Sequence, residues 1–261
     1  MVQYKPLQSF PTEEDLPETD HRSVDNELQI MIPALLREIL AYLWADRVDW
    51  YLGINLGVYY AEDEPAIVPD AFLSLGVQRF RQNGKLRLNY AIPHENQVVP
   101  QWVLEVVSKT PGGEYDDKMK QYAQLGVLYY TIYNPDYWVR DQHTPFEVYR
   151  LQDGGYVRQP ENPVWMPEIG LGIGCELGWP EEIPREWLYW YDQQGRRYLV
   201  PEELLRQAKR ELATERQQRR LAELELEQER QLREQERQRA NEAERRAEEL
   251  VRRLRELGQE P

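Results

Sequence analysis

Trp102-Val-Leu-Glu-Val-Val-Ser-Lys-Thr110, followed by Asp116-Asp-Lys-Met-Lys-Gln-Tyr122 and Gly126-Val-Leu-Tyr-Tyr-Thr-Ile-Tyr-Asn-Pro135, decides how this chain is read. The first and last of these runs are rich in β-branched and aromatic residues and bounded by turn formers, so they read as strands. Between them, Glu114 to Leu125 reads as a helix. Strand, helix and strand in succession imply a right-handed crossover and a parallel pair. Glu105 stands inside the first strand, surrounded by Trp102, Val103, Leu104, Val106 and Val107. An ionised carboxylate in such surroundings requires a partner.

Working outward toward the N-terminus, a second acid, Asp70, lies in Ala66-Ile-Val-Pro-Asp-Ala-Phe-Leu73, on another apolar strand-like run spanning 67–75. A further run, 49–60, also reads as strand. Before it, Leu28, Ile32, Leu35, Leu36, Ile39, Leu40 and Leu43 recur at helical spacing. Asp25 or Asn26 can cap that helix, which begins near Glu27 and is expected to bend at Pro33. Residues 1–23, with Pro6, Pro11 and Pro17, read as an irregular leader. Toward the C-terminus, 146–157 reads as a hairpin turning at Asp153-Gly154. Residues 160–201, dense in Pro, Gly and Trp, are expected to wrap the core with little regular structure. The fold class is therefore α/β (or α+β), a mixed central sheet flanked by helices, in a domain spanning 24–200.

After Pro201 the composition changes. Residues 201–261 hold 15 Lys/Arg against 16 Asp/Glu, leaving 17 against 30 for residues 1–200 of a chain whose net charge is −14. The tail lacks Gly before Gly258 and reads as one long charged helix. Leu205, Leu212, Arg219, Leu226, Arg233, Ala240, Ala247 and Leu254 form one heptad position, and Ala208, Glu215, Ala222, Glu229, Glu236, Ala243, Leu250 and Leu257 the other. The apolar ends and charged middle of this seam predict a helix that pairs weakly, giving a coiled-coil homodimer. Its arginines alternate with glutamates, a solvated face rather than a nucleic-acid arm.

Composition excludes several classes. One cysteine, Cys175, rules out an internal disulfide and a thiolate metal cluster. No apolar run is long enough to span a bilayer, and the first ten residues lack the pattern of a secretory signal. A cytoplasmic protein without membrane contact is the expectation. No base at suitable spacing supports Ser108 as a nucleophile, and it is expected to cap a turn. His21, His94 and His143 lack zinc-ligand spacing and are expected to face solvent. The acidic body repels nucleic acid at long range, which weighs against a nuclease.

Two acids on neighbouring apolar strands with a lysine downstream nevertheless suggest a divalent-metal site for phosphodiester hydrolysis. Magnesium takes oxygen ligands, commonly one or two carboxylates with water and phosphate completing the shell. Asp70 and Glu105 are the candidate ligands, with the backbone carbonyl of Val106 as a third, and a nearby lysine would stabilise the phosphate. The bland readings are that Asp70 closes a turn and that Glu105 forms a structural ion pair with Lys118.

Val68-Pro69-Asp70, Glu105-Val-Val-Ser108, Asp117-Lys118-x-x-x-Tyr122 and Gly126-Val-x-Tyr-Tyr130 together resemble the Uma2 family (DUF820) over roughly residues 20–175. That resemblance implies a restriction-endonuclease-like, PD-(D/E)XK-type core and a Mg²⁺-dependent (or Mn²⁺-dependent) DNA endonuclease. The parent motif would place lysine at position 107, where this chain has Val107. The resemblance implies Lys118 as the substitute, sharing a helix face with Tyr122; Lys120 and Lys109 rank behind it. It also implies an auxiliary acid on the first helix, for which Glu27 is the candidate. The alternative function is an inactive nuclease-fold scaffold whose tail mediates self-association or docking.

Overall fold

The computed structural model describes residues 11–12, 26–62, 64–81 and 84–256. The leader expected over 1–23 lies outside them except for Pro11 and Thr12, as do Asp25, His21 and Leu257. The chain divides into two units, Met1–Pro201 and Glu202–Pro261.

In the first unit, helix α1 (Leu28–Leu43) buries Leu28, Ile32, Pro33, Leu36, Ile39 and Leu40. The Asn26 side chain accepts the Gln29 N–H at 3.3 Å, satisfying one of the donors that a helix start leaves open. Strands follow: β1 (Trp50–Ile54), the short β2 (Val58–Tyr59), β3 (Ala71–Leu75), the short β4 (Tyr90–Ala91) and β5 (Trp102–Val106). Helix α2 (Asp117–Leu125) leads to β6 (Tyr129–Tyr133), a single turn α3 (Trp138–Asp141), and the hairpin β7 (Phe146–Gln152) and β8 (Gly155–Gln159). The hairpin turns at Asp153-Gly154, both at positive φ (49° and 83°), as a tight two-residue turn demands.

Six strands form the main sheet in the order β1-β3-β5-β6-β7-β8. β5 and β6 run parallel, joined through α2, and the remaining pairs are antiparallel. The run expected over 49–60 is broken at Asn55, whose φ is +46°. The run expected over 67–75 becomes strand only at Ala71, after Pro69, which has no N–H to give a ladder.

Residues 160–201 differ from the expectation of an irregular wrap. They contain β9 (Val164–Met166), β10 (Leu171–Gly178) and β11 (Arg185–Tyr191), which form a second, antiparallel sheet. Gly172, Gly174 and Gly178 hide β10 in the sequence because glycine disfavours strands in isolation. Here their lack of a side chain admits neighbours: a Cβ at Gly174 would lie 2.7 Å from the Tyr191 ring and 2.8 Å from Pro163. Trp187, Trp190 and Tyr191 are buried, and the Trp190 indole donates to the Leu36 carbonyl at 2.9 Å, tying β11 to α1.

Each face of the main sheet has its own apolar core. Trp102, Leu104 and Val106 of β5 join α1 and the second sheet on one side. Val103, Val107, Tyr130 and Ile132 join Tyr122 and Leu125 of α2 on the other. Alternation along β5 therefore delivers Glu105 to the α2 side.

The described residues of the second unit all belong to helix α4 (Pro201–Glu256), which is 56 residues long with no buried residue. Among the described residues, no helix is long and apolar enough to cross a membrane.

Candidate active site

Glu105 is 1% exposed, and each of its oxygens has a donor. Lys118 Nζ lies 2.8 Å from Oε2, and the Tyr122 hydroxyl donates to Oε1 at 2.5 Å. Both donors come from α2, one turn apart on the face turned to β5. The helix is positioned at both ends. Gly113, at φ +80°, lets its carbonyl receive the N–H groups of Asp116 and Lys118. At the other end Gly126, at φ +89°, closes the helix by donating to Tyr122 and Ala123.

Asp70 immediately precedes β3, whose Ala71 is opposite Leu104 of β5. Its side chain is therefore on the same sheet face as Glu105. It is 7% exposed, and its Oδ2 accepts the Val106 N–H at 2.6 Å. The Asp70 carbonyl accepts the Asn55 N–H at 3.1 Å, so its backbone is held as well.

Burial dominates the electrostatics. It pushes the Asp70 carboxyl well above the usual carboxylate range, and the neighbouring Glu105 adds to the effect by repulsion. Burial also raises Glu105, against the pull of the Lys118 ammonium. For Lys118, burial works against the charge, but Glu105, Asp70 and Glu114 outweigh it and hold the ammonium protonated. The Tyr122 phenol is driven far upward and stays a donor. One ammonium thus faces two deeply placed carboxyls, an excess of negative charge that a dry site does not sustain unaided.

The remaining sequence candidates are distributed as follows. Glu27 is exposed and lines a cavity of about 410 Å³ with Asn26, Tyr137, Arg185 and Trp187, among others, apart from Asp70 and Glu105. The α1 residue that reaches the site is instead Gln29, whose amide donates to the Val106 carbonyl at 3.3 Å. That carbonyl, expected as a ligand, therefore already has a protein partner. Lys109 is exposed and Lys120 points outward to Asp117 at 3.4 Å. The buried Ser108 hydroxyl donates to the Thr110 carbonyl and caps the turn. His143 does not simply face solvent: it stacks on Tyr115 at 3.6 Å and meets the buried Glu147 at 3.2 Å. His94 is half-buried.

Glu114 was not singled out from the sequence. It is 6% exposed, and its carboxylate accepts the Gly112 N–H at 2.9 Å, shaping the loop before α2. Its charge acts on Asp70, Glu105 and Lys118 alike. The only hint in the sequence is an acid just after Gly112-Gly113, a pattern shared with many solvent loops.

Among the described residues, no group of three or more His, Cys, Asp or Glu side chains is arranged to hold a metal ion. A donor set of two carboxylates suits Mg²⁺, which retains much of its water. The chemistry of the pair agrees: both are hard oxygen donors, and both carry raised carboxyls whose excess charge a dication would cancel.

The family model Uma2, described as "Putative restriction endonuclease", matches residues 4–179. No curated protein matches the chain. Among solved structures, the crystal structure of "a putative nuclease belonging to DUF820 from Anabaena variabilis ATCC 29413" is similar at 16% identity, with a TM-score of 0.41 over 62% of this chain and 88% of that one.

Proposed function

The chain belongs to the Uma2 family of restriction-endonuclease-like proteins, and from that membership and the Asp70–Glu105–Lys118 constellation we propose that it hydrolyses DNA phosphodiester bonds with Mg²⁺, or Mn²⁺ in its place. The catalytic unit falls within residues 24–200, and its single buried cysteine, Cys175, suits a reducing, cytoplasmic setting.

Asp70 and Glu105 would hold the cation. When bound, a divalent ion supplies positive charge to the phosphate oxygens and acidifies a water. The protein's own groups do the positioning. The Val106 N–H fixes the orientation of Asp70, and Tyr122 and Lys118 fix that of Glu105. The Lys118 side chain is 23% exposed, so its ammonium borders both the buried acid and solvent. There it can stabilise charge growing on a phosphate in the transition state. A fixed, pre-oriented cation needs no reorganisation when that charge develops.

The observation that carries this reading is the second carboxyl, Asp70, held by the Val106 N–H and sharing the one ammonium with Glu105. A structural ion pair needs Glu105 and Lys118 alone; it has no use for Asp70 buried beside them. The test is nicking of supercoiled plasmid in Mg²⁺. Asp70→Ala and Glu105→Ala should abolish it, and Lys118→Ala should slow it by roughly 10²-fold or more, the scale of losing one charge-stabilising donor. If both acid variants nick as fast as the parent, the site assignment is wrong.

A further inference from the structure

The α4 helix has an amphipathic stripe with no cover within its own unit. Leu205, Leu212, Leu226 and Leu250 are 54%, 46%, 50% and 61% exposed. Ion pairs along the helix, including Glu202–Arg206, Arg219–Glu223, Glu229–Arg233 and Glu249–Arg253, support the helix itself. They do nothing for the leucines and alanines of the seam.

We infer that α4 pairs with α4 of a second copy of this chain, antiparallel and at nearly full overlap. The charges in the seam select both the partner and its direction. A parallel, in-register pair sets every seam residue against itself. Glu215 and Arg219, then Glu229, Arg233 and Glu236 beyond the Ala222 and Leu226 layers, would make five like-charged layers in the middle of the interface. Like charges in a seam are a specificity device against that arrangement.

Reversing one helix so that Leu205 faces Leu250 of the second copy removes all five. In that register Arg219 faces Glu236, Leu212 faces Ala243 and Ala208 faces Ala247. Glu215 meets Ala240, Leu226 meets Glu229 and Ala222 meets Arg233, so no layer holds two charges of one sign. The flanking positions agree. Glu211 meets Arg246, Lys209 meets Glu244 and Glu223 meets Arg230, against a single like pair, Arg216 with Arg237. Because the pairing is two-fold symmetric, each of these contacts occurs twice. The two Pro201 ends then lie at opposite ends of a bundle about 80 Å long.

This inference is independent of the nuclease reading and is tested on the full-length chain without reference to cleavage. Sedimentation at micromolar concentration should give a dimer. Arg219→Glu should raise the dimer dissociation constant at least tenfold, and adding Glu236→Arg should return it to within a few-fold of the parent. In a parallel dimer the same double swap leaves both layers like-charged and restores nothing. Direction is read separately by oxidative cross-linking. Leu205→Cys mixed with Leu250→Cys should form a linked dimer, and neither variant alone should. Native Cys175 does not interfere, being buried. A monomeric parent chain, failure of the charge swap, or cross-linking by either variant on its own would each overturn the inference.

Discussion

On the proposed function, Asp70 and Glu105 put a cost and an activity at the same place. Two carboxyls buried side by side with one ammonium destabilise the fold in the absence of a cation, which makes the effects on stability and activity separable. Asp70→Asn retains an oxygen for the Val106 N–H while removing a charge. Without metal, at pH above the raised folded-state value where Asp70 is ionised, it is expected to be more stable than the parent by about 1–2 kcal/mol, the scale of relieving an unpaired buried charge, while plasmid nicking is lost. Thermal melts in EDTA beside a nicking assay check both halves; a less stable Asn variant would mark Asp70 as a structural residue. The pH dependence has a definite sign. The folded-state pKa of Asp70 lies above its unfolded value, so the folded chain keeps a proton that the unfolded chain has released. Its contribution is full below the unfolded carboxylate value and is lost as pH rises through the raised folded value. Urea unfolding in EDTA should show stability declining across that window, and saturating Mg²⁺ should flatten the slope. An identical slope with and without Mg²⁺ would argue that no cation binds there.

At the scale of elements, β1 and β3 are spaced by a glycine. Gly53 is opposite Phe72, and a Cβ at Gly53 would overlap the Phe72 ring, itself fully buried. Gly53→Ala should therefore cost about 2–3 kcal/mol, as overpacking of a tight core does. Phe72→Leu in the same chain should recover part of that loss, measured as ΔG of unfolding of the single and double variants; additive losses would mean the ring is not the obstacle. The strands that periodicity reveals are those with uniform demands. β5, β6 and the β7–β8 hairpin are apolar or alternating, with turn residues at their ends. β10 escapes that reading because Gly172, Gly174 and Gly178 are selected by what approaches them: Tyr191, Pro163 and Tyr189, residues of other segments.

For the whole molecule, charge is divided unevenly between the two units. Nearly all of the net −14 belongs to residues 1–200, while the tail is almost neutral. DNA approaching the first unit would therefore meet long-range repulsion, which salt screens over a Debye length of about 10 Å at 0.1 M. At fixed Mg²⁺ and subsaturating plasmid, raising NaCl from about 20 to 100 mM should leave nicking unchanged or speed it a few-fold. A steep fall would instead indicate phosphate contacts by a local basic surface, since each such contact contributes to a negative salt slope.

Helices α1, α2 and α4, the parallel β5–β6 pair, the β7–β8 hairpin, the apolar face of α1 and the seam positions of α4 follow from local composition and period. They are properties of residues a few positions apart, so they can be read without a fold. Glu105 was conspicuous for the same reason, a charge among apolar neighbours. Asp70 and Lys118 could be named beside it from the motifs, but only the tertiary structure decided how they meet and which further side chains join them. Asp70 reaches it through the pairing of β3 with β5, Gln29 through the packing of α1, and Glu114 through a glycine turn before α2. The same holds for Glu27, which α1 directs to a different cavity. Contacts between distant segments depend on strand register and helix rotation, and a shift of one residue in either would send each of these side chains to another face.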